Sequence, residues 1–297
     1  MKKRAVGLEI ADRAIYLVEL IKEREIIINH WQIVDLPLDI IENGEIKDLS
    51  VLRKKISSLL PKRISLNPIP IIVGISGIQT FVRKFKIPKV PLKEMDKIVR
   101  WEGENILPYP ITEFFYNYQI IDQSDDDCQI LFAALHRDRL NKYLQLFKEL
   151  KVPVQFLTLQ PFGLVNYVEF IGEFSRYSGV LARVRSRSFD FILLYEGIVE
   201  LVRSVSLFRS GEPKKPILDI FISELISTLR HFKSLYNLWL NTGLFFGERE
   251  MLNQIRLKMP SFHWRHLQVN ISTKKPLPYE LAQELPCAVG LGFMGVI

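Results

Sequence analysis

One pattern occurs twice in this chain and limits what it can fold into. Residues 5–20 read as an apolar strand, a tight polar turn at Ala11, Asp12 and Arg13, and an immediate return strand in which Ile15, Leu17 and Glu19 alternate with Tyr16, Val18 and Leu20. Residues 179–197 repeat that order, and residues 199–207 follow them as residues 25–36 follow the first hairpin, each as a third strand. A three-strand unit that returns about halfway along predicts an internal duplication of one α/β plan. The shape is repeated and the chemistry is not. The first strand ends near an acid, Glu9, whereas the matching place in the second copy holds Arg183.

Composition excludes several classes. With 297 residues and 48% hydrophobic content, the chain can fill two cores of ordinary size. The 40 Lys and Arg against 33 acids leave a net charge of +7, which favours acidic partners, yet no run of five basic residues and no reader motif points to nucleic acid. Cys128 and Cys287 lack metal-type spacing and read as reduced packing residues of a cytosolic protein. Met1-Lys2-Lys3-Arg4 is like the start of a signal peptide, but Glu9, Asp12 and Arg13 break the apolar run behind it. No stretch approaches the ~18 uncharged residues of a spanning helix, so the expectation is a chain that stays in the cytoplasm.

Between the two hairpins, an Asn43-Gly44 turn marks the passage to a helix over residues 49–60, residues 61–70 connect, and residues 71–75 form a buried strand. The character then changes. A strand over 80–87 ends in a Pro88 to Pro91 bracket, and a helix over 92–106 is stopped by Pro108 and Pro110. Strands over 114–122 and 129–135 flank the acidic turn Asp125-Asp126-Asp127, and a helix over 138–150 takes Asp138 as its cap. These form a compact insert of roughly 75 residues, after which a helix over 160–174 completes the first unit. In the second unit a linker over 210–216 leads to a long helix over 218–240, a strand over 243–246, a helix over 248–259 and a closing segment over 284–295 rich in small residues.

Two motifs carry a resemblance. Arg83 to Pro88, then Leu92, Ile98, Glu102, Ile106-Leu107-Pro108-Tyr109-Pro110 and the aromatic strand from Phe115 are similar to the inserted 1C subdomain of the PilM family, and Ala288-Val-Gly-Leu-Gly292 is similar to that family's last helix. PilM proteins are FtsA-like, actin-related proteins of type IV pilus and competence pseudopilus assembly. The resemblance implies duplicated ribonuclease-H-like α/β domains with an α+β 1C (SHS2-type) insert. The implied division is 1–78 and 156–176 for the first domain, 79–155 for the insert and 177–297 for the second domain. It also implies an ATP cleft, in which Glu9, Asp12, Arg13, Arg183 and Gly247 stand at the nucleotide-contacting positions and the acid holds magnesium through water.

The departures all fall on that cleft. Asp-Ile-Gly-Ser of the ATP-binding members is Glu9-Ile10-Ala11-Asp12 here, and a Cβ in a left-handed turn costs about 1 kcal/mol and obstructs backbone approach to phosphate. The second Asp-Ile-Gly is Arg183-Val184-Arg185, the adenine-side glycine pair is reduced to Gly247, and residues 207–218 are too few for a 2B subdomain. Arg183, Arg185 and Arg187 at spacing two read as one strand face, either exposed or turned to a partner or lipid. The expectation is a pseudo-ATPase with no cofactor, the alternative being an active ATPase using ATP and magnesium. By resemblance it would be a scaffold at the inner membrane's cytoplasmic face. There it would bind the cytoplasmic tail of a PilN-like protein in a groove near Arg83, Phe85, Trp101, Ile106 and Leu107, with the motor ATPase and other pilus proteins as further partners. A second alternative is the cytoplasmic domain of a type II secretion L protein. His263 and His266 read as a surface pair and the Asp125 to Asp127 run as a solvated turn, neither as a metal site.

Overall fold

The computed structural model describes residues 3–60, 69–173, 177–207 and 216–297. Most of the expected 61–70 connector and 210–216 linker lies outside those residues, as does residue 174, and the helix expected over 160–174 ends earlier, at Phe170.

In chain order, the alternating segments become β1 (Lys3–Ile10), β2 (Ala14–Lys22) and β3 (Ile26–Asp35), joined antiparallel. Asn43 and Gly44, both with positive φ (52° and 74°), turn a small hairpin of β4 (Ile41–Glu42) and β5 (Glu45–Ile46), rather than leading directly into the helix. Asp48 then caps α1 (Leu49–Leu59), its carboxylate accepting the Val51 N–H at 2.9 Å. β6 (Ile71–Ile75) is followed by β7 (Thr80–Pro88), α2 (Leu92–Ile106), a 3-10 turn, β8 (Phe114–Gln123), β9 (Asp127–His136) and α3 (Arg137–Leu150). The cap position of α3 is His136, and Asp138 instead lies in the first turn. β10 (Val154–Leu159) and α4 (Gln160–Phe170) end the first half.

The second half runs β11 (Gly179–Val184), β12 (Ser188–Tyr195), β13 (Ile198–Ser206), α5 (Ile217–Tyr236), β14 (Thr242–Phe246), α6 (Arg249–Lys258), β15 (His263–His266), α7 (Tyr279–Ala282) and α8 (Pro286–Val296). The duplication is visible in the sheets. One has the order β10-β6-β1-β2-β3, and the other begins β15-β14-β11-β12-β13, with parallel pairing at the same places.

Three placements differ from the sequence reading. Val154 and Gln155, assigned to the insert, open β10 beside β6. The insert's strands do not form a separate sheet, because β7 pairs with β13 and extends the second sheet as β13-β7-β9-β8. The closing helix α8, grouped with the second domain, packs into the first core with β1 and α4. Small residues permit that approach: a Cβ on Gly7 would run into the Ala288 carbonyl, and one on Gly290 into the Gly163 carbonyl. Among the described residues no helix is long and apolar enough to cross a membrane.

Backbone cannot yield as a side chain can, so Gly290→Ala should cost at least ~1–3 kcal/mol of overpacking and lower the melting temperature by several degrees in a thermal scan. An unchanged melting temperature would mean that α8 is not seated against α4.

Candidate functional site

Glu9 and Arg183 are each the last residue but one of a central strand, β1 and β11, and the duplication brings those strand ends together across the cleft. Glu9 is 0% exposed and Arg183 2%. The guanidinium meets the carboxylate through two bonds, Nη1 to Oε1 at 2.7 Å and Nη2 to Oε2 at 3.1 Å. Arg185 also donates to Glu9 Oε1, and its Nη1 reaches Gln160 Oε1 at 2.8 Å. Gln160 in turn donates to the Ile10 carbonyl at 2.6 Å. Burial by itself favours deprotonating Arg183, but the Glu9 charge outweighs it and holds the guanidinium above its ordinary range. Burial, with the Glu9 charge behind it, pushes the nearby Cys287 thiol up as well.

The expectation that Arg183 and Arg185 share a strand face open to solvent, lipid or a partner is therefore wrong for both. Arg183 stands in β11, between β12 and β14, where a charged side chain must find its partner inside; Arg185, just past the strand, turns to Glu9 and Gln160 at the edge of a cavity that Arg187 also lines.

Beside the pair lies a cavity of about 910 Å³ whose polar lining includes Asp12, Arg13, Asp35, Arg187 and Glu248. Burial raises Asp12 above the usual carboxylate range against the Gly44 N–H that it accepts at 2.9 Å. Arg13 presents a buried Nη1 with no hydrogen-bond partner among the described residues. Gly247 has φ 143°, and a Cβ there would press on the Val184 carbonyl at 3.0 Å; its own carbonyl lies 2.8 Å from His266 Nε2. Its glycine is thus explained by packing. His266 is half-buried against Gly247 while His263 is exposed, so the two are not a surface pair. Among the described residues no three metal-type side chains gather.

A second cluster ties this cleft to the insert. The Gly44 carbonyl accepts from Arg139 Nε at 3.0 Å and from the Tyr143 hydroxyl at 2.9 Å, and Arg139 also bonds the Ser76 carbonyl at 2.5 Å. Ser206, on β13, bonds Asn43 of the same turn. Arg139 went unnoticed in the sequence, although it sits at helical spacing with Tyr143 and Leu146 on an otherwise apolar stripe.

The five residues expected to line a tail groove do not share one surface. The insert sheet has two faces. Phe85 and Leu107 pack with α2 in the insert's own core, and Ile106 ends that helix half-buried. Val82, Leu131, Ala133 and Leu135 instead face the first domain's core. Arg83 donates to the Val82 carbonyl at 2.8 Å beside the β7–β13 joint, and Trp101 is 62% exposed, turned away from the buried α2 stripe of Met95, Val99 and Gly103. On the strand face shared with Leu135, Phe115 on β8 carries Arg137 over its ring at 4.3 Å, and further along α3 Leu144 lies exposed.

A sequence profile of the type IV pilus assembly protein PilM family matches residues 7–174. This chain belongs to the PilM family. Its fold is that of the solved PilM-PilN type IV pilus biogenesis complex, at 21% identity, a TM-score of 0.81 and coverage of 99% of this chain and 98% of that one. The cytoplasmic domain of EpsL, an inner-membrane component of the Vibrio cholerae type II secretion system, aligns with TM-score 0.56 at 9% identity over 99% and 95% of the two chains. A Bacteroides thetaiotaomicron protein with an actin-like ATPase fold and unknown function aligns with TM-score 0.54 at 10% identity over 89% and 91%. No curated protein sequence matches. This PilM-family chain thus has the actin-like α/β fold.

Breaking a buried pair strands a charge. Glu9→Gln or Arg183→Met should each cost ~3–5 kcal/mol in urea unfolding, while Glu9→Leu with Arg183→Met should cost clearly less than the sum. Additive losses would show that the two residues act separately.

Proposed function

We propose that this chain is a non-catalytic scaffold of a type IV pilus-like assembly machine. On this reading it holds the cytoplasmic tail of a PilN-like inner-membrane protein, and that partner keeps it at the cytoplasmic face. The observation that carries the non-catalytic part is the Glu9, Arg183 and Arg185 cluster. Magnesium-nucleotide needs carboxylates or phosphates free to order the ion and its waters. Both Glu9 oxygens are engaged by guanidinium groups, and Asp12 is desolvated and bonded to Gly44; Ala11, contrary to the expectation from the sequence, does not take the left-handed backbone, so its methyl group strains nothing there. These residues do not suit magnesium-ATP, and the cleft is instead held by its own side chains.

Family membership supports the assembly role and favours it over the L-type alternative, whose likeness is one of fold. For the tail, the apolar ground beside the free edge of β8, with Phe115, Arg137 and Leu144, is better placed than the α2 side. An extended peptide there would gain main-chain bonds from the edge and apolar contact with the exposed Phe115 ring. Docking of a motor ATPase or other pilus proteins onto the same body would extend this scaffold role.

Two measurements test the reading. Magnesium-ATP should give no saturable heat and no rise in melting temperature, where a ligand at a hundredfold its Kd would add ~2.7 kcal/mol. A rise abolished by EDTA would restore the enzyme. In fluorescence polarisation with a PilN-like tail peptide, Phe115→Ala should lose of order 2 kcal/mol and Trp101→Ala nothing measurable. The reverse pattern would return the tail to the α2 side.

A further inference from the structure

The end of α5 carries an exposed group of side chains that neither the cleft nor the tail surface uses. From Leu225 to Asn241 the chain contains no acid, while Arg230 and Lys233 stand exposed on the helix. Asn237 ends α5 in the left-handed conformation, the chain turns, and Leu240 returns to the core. Between these points Leu235 is 59% exposed, Leu238 44% and Trp239 49%. Lys233 lies over the Trp239 ring at 4.9 Å, so cation and indole point outward as one unit.

The acids beneath this tip are already engaged. Glu200 is bound by Lys84 and by the Tyr236 hydroxyl, and Glu224 by Arg203. Burial, together with the charges of Arg83 and Arg203, holds His231 below its ordinary value, so the tip's charge at neutral pH comes from Arg230 and Lys233.

We propose that this tip is a membrane-contact site, in which Leu235, Leu238 and Trp239 enter the headgroup region of an anionic lipid surface while Arg230 and Lys233 pair with its phosphates. Tryptophan and leucine beside lysine and arginine are the composition of interfacial anchors, because the indole suits the headgroup boundary and each basic residue is drawn by negative lipid. The shape favours lipid over protein. A projecting tip of about seven residues offers far less than the ~800 Å² per partner of a standard protein interface, whereas a lipid surface needs only a few inserted side chains. The net charge of +7 adds attraction in the same direction. The inference does not rest on the pilus reading, since it uses this surface alone.

The test is co-sedimentation of the full chain with phosphatidylcholine vesicles, with and without added phosphatidylglycerol. Binding should require phosphatidylglycerol and be reversed by salt. Lys233→Glu, a change of two charges, should weaken it about 25-fold, at about fivefold per charge. Trp239→Ser and Leu238→Ser should each weaken it at least several-fold with melting temperatures unchanged, as expected of exposed residues. Absent binding, equal binding to neutral vesicles, or folded variants that bind as the wild type would overturn the proposal. Self-association lost in Trp239→Ser, without vesicle binding, would also overturn it by making the tip a protein contact.

Discussion

A carboxylate taken out of water costs several kcal/mol unless its lone pairs and its charge are both answered. Glu9 has no exposed surface, so β1 can end where it does only because β11 delivers a guanidinium to the same point. That requirement couples the two halves of the duplication more tightly than apolar packing alone would. Apolar contact tolerates sliding, whereas a bidentate pair fixes distance and angle together. Arg185 at the edge of the cavity completes the cluster by binding the same carboxylate oxygen as Arg183. In an actin-like cleft that depends on ligand, the halves approach when the ligand arrives. Here they are already joined by residues of the chain.

How much of this was legible depends on range. The β1–β2 hairpin and its copy were readable because alternation and a polar turn are local signals. β10 and β15 were not: β15, His-Trp-Arg-His, is too short to show a pattern, and each gains its identity from a parallel neighbour across an intervening helix, β10 from one about eighty residues upstream. Arg183 stood among Leu181, Ala182 and Val184, which signalled a buried charge, yet its partner lies 174 residues away and no spacing rule reaches that far. The five residues expected along a tail groove scattered for a different reason. Strand alternation says that Val82 and Phe85 face opposite ways, but not which of the two faces α2 covers, and Phe85 packs with α2 in the insert's own core.

The Asn43-Gly44 turn shows how a minor hairpin becomes a junction. Its backbone N–H goes to Asp12 in the cleft, its carbonyl to Arg139 and Tyr143 on the insert, and its side chain to Ser206 on the second sheet. Three parts of the molecule are referenced to one turn whose left-handed geometry suits glycine and asparagine. Asp12 in the cleft and α3 in the insert thus hold opposite sides of the same glycine.

The β7–β13 joint bears on how such a chain is made. Ribosomes deliver β7 more than a hundred residues before β13, the interval separating Arg83 from Val202 being 119. Throughout that interval β7 has β9 on one side and an open row of amides and carbonyls on the other, the kind of edge that recruits stray strands. Arg83, Lys84 and Lys86 lie along that strand, and cations on a waiting edge repel its own kind. Cations that are paired with Glu200 and Asp127 in the finished sheet would thus first protect the nascent chain until its second half emerges.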